Sequence, residues 1–497
     1  MDTILQAFSL ILTWQVFLTV SAAALFGIFV GAIPGLTATM ATALLVPLTF
    51  FMDPIQAVGA MVACSAMAIF AGDIPGALLR MPGTPASAAY TDEAYAMTRK
   101  GDAETALGAS VLFAALGGLF GTMILIVAAP SLAEFALKFS SQEYFWMALI
   151  GLSCAAFIGA STPVKGIISL LIGLFIATIG IDNPAGVARF TFGSTNLMAG
   201  VHFIPVMIGL FAVSEVLRTV VSGAAPWGDV QAKVGNIFRS WGGMLKTYWR
   251  QALRGNITGT VIGVLPGAGA DVAAYVSYAI SRRFSKTPEK FGTGHVEGIV
   301  EAGSSNNSSL SSAWVPALVF GIPGDTITAI VIGVLYVKGL NPGPTLFIFN
   351  PQTIYAVFLI FILANLLLIP LGWLVIKLAK PLIRIPRSVL MPIILIFCIV
   401  GAFASGNAIY GVILMLIFGV IGFFMEENGI PIAPCILGIV IGPLLERSFI
   451  STMIKSNGSF VTFIERPVAA VLCAIFVFIW ISMLYSAWRR LAYSRKV

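Results

Sequence analysis

Four segments of this chain interrupt apolar sequence with proline, glycine and hydroxyl residues, and they are the positions where a solute could be bound. The segments are residues 31–42, 81–91, 263–278 and 297–328. Proline and glycine break a spanning helix, and the freed backbone groups are tolerated at membrane depth only when they are buried in protein or face a watery cavity. Because a broken helix presents an N-terminus with free N–H groups, each break suits a carboxylate.

The predicted substrate contacts are the turn residues of these breaks and the hydroxyl side chains that follow them. Hydroxyls just after a break add side-chain donors to the backbone N–H groups. The predicted substrate-binding residues are Pro34, Gly35, Thr37, Thr39, Pro82, Gly83, Thr84, Ser87, Pro266, Gly267, Gly269, Pro323, Gly324 and Thr326. The competing interpretation is local capping or close helix packing, since glycine and small hydroxyl residues favour both.

The run from residue 303 to residue 312, GSSNNSSLSS, is the most polar uncharged stretch of the chain. Oxygen-rich side chains and unwound carbonyls suit a hard cation such as sodium. The predicted ion-coupling residues are Asp271, Ser305, Asn306, Asn307, Ser308 and Asp325. A solvated loop is the alternative for this run, and an interfacial position is the alternative for the acids, which include Glu297 and Glu301.

The remaining polar residues predict neither catalysis nor a resident metal. Six charged residues around the first-half breaks are expected to mark an interfacial loop: Asp73, Arg80, Asp92, Glu93, Arg99 and Lys100. His202 and His295 are the only histidines, so this chain cannot assemble a multi-histidine metal site. Phosphate-loop, H-E-x-x-H and G-x-S-x-G motifs are missing. We therefore expect no enzyme activity and no cofactor, and an ion or proton gradient as the energy source.

The elements that position these residues must be membrane helices. Of 497 residues, 58% are hydrophobic and 10% are charged, whereas soluble domains carry about 25% charged residues. Long stretches without any charge, such as residues 3–52 and 388–425, reach or exceed the roughly 20 residues that span a bilayer. The predicted fold is an all-α polytopic membrane protein with roughly ten to fourteen spanning helices, including broken helices or re-entrant hairpins.

Three motifs of the first half return in the same order in the second half. GAIPG at 31–35 returns as GVLPG at 263–267, PGT at 82–84 returns as PGD at 323–325, and FIGAS at 157–161 resembles GAFAS at 401–405. These matches predict two homologous membrane repeats. Secondary transporters often contain such repeats and bind substrate where the repeats meet. We favour inverted over parallel repeats, because broken helices in corresponding positions usually accompany inversion.

The predicted boundaries follow the distribution of charge. They are residues 1–221 for the first membrane repeat, 222–254 for a basic connector, 255–465 for the second repeat, and 466–497 for a C-terminal helix with a basic tail. By the positive-inside rule, the connector and the tail are expected to be cytoplasmic. The net charge of +7 is then explained by topology and by lipid of the inner leaflet, without nucleic acid.

At these motifs the chain resembles the large membrane subunit of the tripartite tricarboxylate transporter family. The resemblance covers roughly residues 17–445, and its signatures are residues 31–37, 82–87, 263–271, 297–298, 306–307, 321–326 and 339–344. One departure is serine at 304, 305, 308 and 309, where the family pattern has alanine around the asparagine pair. This departure bears on the solute or the coupling ion more than on the class.

The resemblance implies a permease of the bacterial inner membrane. It also implies two partners, a small four-span membrane subunit and a periplasmic solute-binding protein, and cation-coupled uptake of a carboxylated solute with citrate as the default. The mechanism we expect is alternating access around the four breaks. The alternatives are a gradient-independent channel, a structural assembly subunit, a permease of another secondary family and a membrane-embedded enzyme.

Overall fold

The computed structural model describes residues 2–158, 163–181, 186–222, 234–383 and 387–494, and this part of the chain is built from helices. Within it, the single β-type pairing is an isolated bridge between Gly180 and Arg189. The first half contains α1 (Asp2–Ile11), α2 (Trp14–Gly31), α3 (Ala38–Thr49), α4 (Pro54–Ala71), α5 (Asp73–Leu79), α6 (Pro85–Ala88), α7 (Thr91–Arg99), α8 (Ala103–Ala136), α9 (Ser141–Ile158), α10 (Pro163–Ala177), α11 (Thr195–Met198), α12 (Phe203–Ile208), a π-helical turn (Gly209–Val213) and α13 (Ser214–Ser222). The second half contains α14 (Trp241–Val264), α15 (Gly269–Phe284), a 3-10 turn (Pro288–Lys290), α16 (Val296–Ser312), α17 (Trp314–Phe320), α18 (Thr326–Val337), α19 (Pro344–Phe349), α20 (Pro351–Ile383), α21 (Arg387–Ala404), α22 (Ile409–Glu427), α23 (Ile432–Lys455), α24 (Thr462–Glu465) and α25 (Pro467–Ser494).

These helices confirm the predicted fold class of an all-α polytopic membrane protein. Seven helical segments of the described chain have the length and apolar composition needed to cross a membrane: Trp14–Gly31, Pro54–Leu79, Ala103–Ala136, Phe203–Ser222, Pro351–Ala379, Ile409–Glu427 and Ile432–Lys455. Five further apolar helices are shorter, with 10 to 17 residues each. Because a short helix can enter a bilayer without crossing it, the range of ten to fourteen crossings stays a prediction.

The chain forms two compact units. The first unit comprises Met1–Ala133 and Ile204–Phe423, and the second comprises Glu134–Phe203 and Phe424–Val497. Each unit therefore combines segments from both predicted repeats. All four breaks lie in the first unit, so the second unit, with its ion pair between Arg189 and Glu446, contributes none of the predicted site residues.

Glycines allow the helices of the first unit to approach each other closely. Gly27 and Gly31 of α2 face the backbone of α4, at Cys64 and Ala68. On α14, three glycines one turn apart face the backbone of α16: Gly255, Gly259 and Gly263. A Cβ atom at any of these positions would overlap the backbone of the neighbouring helix, so only glycine fits. Helices in lipid lack a strong hydrophobic drive to associate, and this close packing supplies van der Waals contact instead.

The serine-rich run differs from its prediction. Residues 303–312 belong to the continuous helix α16, whose residues from Glu297 to Ser312 are all buried. The expectation of unwound backbone here is wrong, and so is the alternative of a solvated loop. Small hydroxyl side chains permit this helix because they return hydrogen bonds to carbonyls of the preceding turn, as Ser304 does to Val300 at 2.6 Å.

The expected interfacial loop of the first half is also only partly correct. Arg80 and Asp92 do form an exposed ion pair, with N–O distance 2.8 Å. Asp73, however, is only 4% exposed and Glu93 is 0% exposed. Asp73 begins α5 inside the apolar segment Pro54–Leu79, so it is an acid at membrane depth rather than a loop residue.

Some predicted features lie outside the described residues. They include residues 159–161 of the third repeat match, residues 223–233 of the basic connector and residues 495–497 of the C-terminal tail.

Candidate functional site

The first and fourth breaks meet through two threonines. The hydroxyl oxygens of Thr39, in the first turn of α3, and Thr326, the first residue of α18, lie 3.0 Å apart and form a hydrogen bond. Each residue follows a Pro-Gly pair, and both side chains remain partly exposed. The N-terminal ends of α3 and α18 are therefore side by side, although they come from opposite halves of the sequence.

The third and fourth breaks meet through their backbones. The N–H of Gly267 donates to the carbonyl of Gly324 at 2.8 Å. Gly267 and Gly269 have φ angles of 82° and 66°, which side chains rarely adopt. A Cβ on Gly269 would also lie 3.0 Å from the Cβ of Asp325. These glycines let the start of α15 approach the start of α18.

The first and second breaks meet at Gly83. Its N–H donates to the carbonyl of Gly72 at 3.0 Å. On its other side, Gly83 packs against the carbonyl oxygen of Gly31 so closely that a Cβ would overlap that atom. The Pro82-Gly83 turn is thus held between the end of α2 and the junction of α4 and α5.

The second and third breaks meet at Asp271. Its carboxylate lies within hydrogen-bonding reach of the backbone N–H of Ala86, at the start of α6, and close enough to Asp325 for the two charges to interact. The Asp271 side chain is exposed, so its carboxylate is accessible at the start of α15. All four breaks therefore converge on one place in the first unit, which we call the crossing.

The second and fourth breaks have the same local geometry. Arg80 and Gly321 end α5 and α17 with left-handed φ angles of 60° and 68°. In each segment, the residue after this left-handed one donates its N–H to the carbonyl of the proline inside the preceding helix, at 3.3 Å. Thr84 and Asp325 then begin the following helices with reciprocal capping boxes. Homologous halves would show such local agreement, and the repeats themselves, with their direction, stay a prediction.

Several predicted substrate contacts have structural roles as helix caps. Thr37 accepts a hydrogen bond from the N–H of Met40 at 3.1 Å. Thr84 and Ser87 bond to each other's backbone N–H groups at 3.2 Å and are buried. The capping interpretation therefore describes these three hydroxyls, and Thr39 and Thr326 are the predicted hydroxyls that bond across the crossing.

The predicted ion-coupling residues separate into two groups. Asp325 is engaged, because its carboxylate accepts the N–H and the hydroxyl of Thr328, both at 2.7 Å. Ser305 and Ser308 donate to carbonyls of α15 and α14, at Ala273 (3.1 Å) and Asn256 (2.9 Å), so they hold helices together.

The asparagine pair and Asp271 form the other group. Asn306 is 0% exposed, and its amide oxygen has no hydrogen-bond partner in the described part of the chain. Asn307 donates to the carbonyl of Gly303 at 3.1 Å, but its amide oxygen is likewise unsatisfied. Since buried polar groups normally have partners, the pair and Asp271 are the members best suited to hold an ion. The described residues contain no group of three or more His, Cys, Asp or Glu residues arranged to hold a metal.

The sequence interpretation missed a buried acid. The Tyr90 hydroxyl donates to Asp73 at 2.6 Å, and both residues lie inside the first unit. The sequence did contain a signal for this acid, because Asp73 stands in an otherwise uncharged stretch that ends at Arg80. An acid inside a membrane segment indicates function. Grouping it with the charges that follow Arg80 assigned it to a surface instead.

The chemistry of the crossing suits an anion held without a fixed basic partner. The four segments 31–42, 81–91, 263–278 and 297–328 contain no lysine or arginine. What they bring together are backbone N–H groups at helix starts, two threonine hydroxyls and the carboxylates of Asp271 and Asp325. Helix N-termini attract negative charge, whereas Asp271 attracts a cation. The crossing can therefore accommodate a carboxylate together with a cation that balances part of its charge.

Comparison with known proteins places the chain in a family. Residues 17–437 match the family model described as "Tripartite tricarboxylate transporter TctA family". An uncharacterised 52.8 kDa protein encoded in the TAR-I ttuC' 3' region of Agrobacterium vitis is 32% identical over 455 residues, which cover 91% of this chain and 89% of that protein. A second uncharacterised protein, from the TAR-II ttuC' 3' region of the same organism, is 33% identical over 217 residues, covering 44% of this chain and 90% of that protein.

No solved structure matches the chain. The family is one of multi-pass membrane components of transport systems with three parts, and its model covers all four breaks. By this match, the chain belongs to the tripartite tricarboxylate transporter TctA family.

Proposed function

We propose that this chain carries out secondary active uptake of a small carboxylate, a tricarboxylate or dicarboxylate of the citrate type. The observation that carries the proposal is the convergence of four helix breaks on the crossing, where Thr39 and Thr326 bond at 3.0 Å. Backbone N–H groups and these hydroxyls would hold the carboxylates of the solute. A break that faces a cavity is how membrane transporters expose polar backbone to a substrate.

The coupling ion in this proposal is sodium or a proton. Because the four breaks lack lysine and arginine, a solute with several negative charges needs another source of positive charge. Asp271 supplies an accessible carboxylate beside the helix starts, where a cation would offset part of the negative charge of the carboxylate and the solute. Cation and solute would then bind together, and the gradient of the cation would drive uptake by alternating access.

The proposal includes the setting of the complex. The chain would lie in the bacterial inner membrane with its C-terminus in the cytoplasm, beside a small four-span membrane subunit, and would receive solute from a periplasmic binding protein. The family name supports a system of three parts. The basic residues of the connector and tail support the orientation by the positive-inside rule.

Uptake into proteoliposomes tests this function. The chain and its small subunit would be reconstituted, and a panel of radiolabelled dicarboxylates and tricarboxylates offered with and without the binding protein and a sodium or pH gradient. We expect accumulation of at least one carboxylate that requires both the binding protein and a gradient. Flux that needs neither would overturn the proposal and indicate a channel.

Asp271→Asn tests the role of the accessible carboxylate. The variant is expected to reduce the dependence of uptake on the cation gradient, since its neutral amide attracts a cation far less. Asp92→Asn is the control, because Asp92 is an exposed acid paired with Arg80 and lies outside the crossing. Equal ion dependence in wild type and Asp271→Asn would remove Asp271 from the mechanism.

A further inference from the structure

A second cluster of polar residues lies inside the first unit, beside the Pro82-Gly83 turn. It consists of Asp73 at the start of α5, Tyr90 before α7, Ser110 on α8 and Asn306 on α16. The Tyr90 hydroxyl donates to Asp73 at 2.6 Å, and the Ser110 hydroxyl lies against the same carboxyl. All four residues are buried, with exposures of 4%, 1%, 1% and 0% in the order named.

The Asp73 carboxyl has no basic partner within the described residues. No ion pair there includes it, and its polar neighbours are neutral hydroxyl groups. Two charged residues of the following segment are engaged elsewhere, Arg80 with Asp92 and Glu93 with Tyr278. A buried carboxylate without a compensating charge strongly destabilises the fold, so this one must be neutralised by a cation or a proton.

Asn306 provides an independent sign of a missing ligand. Its amide lies next to the Tyr90 hydroxyl, and its amide oxygen makes no hydrogen bond with the described part of the chain. A buried amide oxygen without a partner destabilises the fold. A cation on the amide oxygen would remove part of that cost.

The set of donors selects the kind of cation. Asp73 contributes one negative charge, and Tyr90, Ser110 and Asn306 contribute neutral oxygens. Hard cations prefer oxygen ligands, and divalent cations are usually bound by several carboxylates. One carboxylate among neutral oxygens therefore matches a monovalent cation of sodium's size.

We propose that Asp73, Tyr90 and Asn306 form a binding site for a sodium ion that includes neither Asp271 nor the two threonine hydroxyls of the crossing. That the bound ion drives solute uptake rests on the proposed function, whereas the binding itself does not. Gly72, the residue before Asp73, connects this sodium site to the crossing, because its carbonyl accepts the N–H of Gly83 at 3.0 Å. An ion on Asp73 would fix the start of α5 and, through Gly72, the Pro82-Gly83 turn.

Binding of radiolabelled sodium to the purified chain tests the site without solute, partner or gradient. We expect saturable binding to the wild type, and one fewer sodium ion per chain in Asp73→Asn. The matched control is Asp92→Asn, which removes an exposed acid from the same hairpin and is expected to bind as the wild type does. In Asp271→Asn, the binding that depends on Asp73 is expected to remain.

Two milder variants keep the test valid if Asp73→Asn does not fold. Tyr90→Phe removes only the hydroxyl, and Asn306→Ala removes the amide; each is expected to weaken sodium binding by roughly tenfold, the effect of one lost interaction with a charged group. Sodium binding that is unchanged in these variants would overturn the site. So would a wild type that binds no sodium but takes up a proton at Asp73.

This outcome is separable from that of the proposed function. Sodium binding lost in Asp73→Asn would stand even if no carboxylate were transported. Carboxylate uptake coupled to a gradient would likewise stand if Asp73→Asn bound sodium normally.

Discussion

The hydroxyl oxygens of Thr39 and Thr326 lie 3.0 Å apart, although 287 residues separate them in the sequence. This hydrogen bond joins the first turns of α3 and α18, which follow the first and fourth Pro-Gly breaks. Both side chains are partly exposed, so a solute oxygen could replace either hydroxyl as the partner of the other. The pair is thus the part of the crossing whose bonding a solute would change most directly.

Replacing either hydroxyl should therefore weaken solute binding. We expect Thr39→Val and Thr326→Val each to raise the KM of uptake by about tenfold, the effect of one lost hydrogen bond of about 1.4 kcal/mol. The loss of binding free energy in the double variant should be smaller than the sum of the two single losses, because the two hydroxyls interact. The measurement is carboxylate uptake in the reconstituted system as a function of solute concentration.

Thr42→Val is the matched control for these variants. Thr42 lies one turn further along α3, is fully buried, and donates to the carbonyl of Ala38 at 2.8 Å within its own helix. Its replacement should leave the KM unchanged. An equal rise in KM for Thr42→Val would mean that the hydroxyls of α3 act through helix stability and not through the solute.

The convergence of the breaks was predictable from the sequence in outline. Proline and glycine in apolar sequence indicate a broken helix, and recurrence of the Pro-Gly motifs links the halves. The sequence pattern alone could not show which side chains face the crossing. Thr37 and Thr84 follow their breaks just as Thr39 does, but they are used as caps, because a residue at the N-cap turns its hydroxyl toward its own helix.

Glycine packing between α14 and α16 can be tested on one helix. Gly259 lies against the carbonyl of Ser305 and the hydroxyl of Ser308, so a Cβ there would overlap both. We expect Gly259→Ala to lower the free energy of unfolding by about 1 to 3 kcal/mol, the usual cost of overpacking. Thermal or denaturant unfolding in detergent would measure the change.

Gly242→Ala is the control on the same helix. A Cβ at Gly242 would have open space around it, so alanine should raise the free energy of unfolding by up to about 1 kcal/mol through its helix propensity. If both alanine variants shifted stability in the same direction, close packing against α16 would not be what requires Gly259.

The serine run and Asp73 show where sequence patterns were ambiguous. Serine, asparagine and glycine are typical of loops in water, which is why residues 303–312 resembled an unwound segment. Inside a bundle the same side chains suit a close-packed helix, since they are small and can bond to nearby carbonyls. Asp73 was misplaced because the sequence does not show that α5 leads the chain from a buried start at Asp73 to an exposed end at Arg80.

Glu93 fixes the loop before α16. Its carboxylate is 0% exposed and accepts the Tyr278 hydroxyl at 2.7 Å and the N–H groups of Gly294 and His295, both at 2.8 Å. Glu93→Gln replaces an acceptor-only group with one that must also place two donors. We expect a loss of about 2 to 3 kcal/mol in the free energy of unfolding.

The same substitution should loosen the loop itself. Limited proteolysis should cleave between residues 285 and 295 faster in Glu93→Gln than in the wild type, because the loop loses the charged acceptor of its backbone N–H groups. Asp92→Asn is again the control, since an exposed ion pair contributes little, about 0 to 1 kcal/mol. Unchanged cleavage in Glu93→Gln would mean that the loop is held by other contacts.

Arg254 and Glu301 offer a test of charge pairing inside the bundle. The guanidinium of Arg254 on α14 donates two hydrogen bonds, each 2.5 Å long, to the two carboxylate oxygens of Glu301 on α16. Glu301 is 0% exposed. Arg254→Gln leaves this carboxylate without its partner, and removal of one member of a buried pair costs about 3 to 5 kcal/mol. We therefore expect Arg254→Gln to be strongly destabilised.

A second substitution separates the cost of the unpaired charge from the loss of the contact. Glu301→Gln in the Arg254→Gln background removes the buried charge, so it should recover most of the lost free energy of unfolding. The wild type, the two single variants and the double variant would be compared by unfolding in detergent. The coupling free energy between the two sites should exceed about 0.5 kcal/mol, the usual deviation from additivity for independent sites. Losses that simply added would show that the two side chains do not stabilise each other, and would contradict charge pairing between α14 and α16.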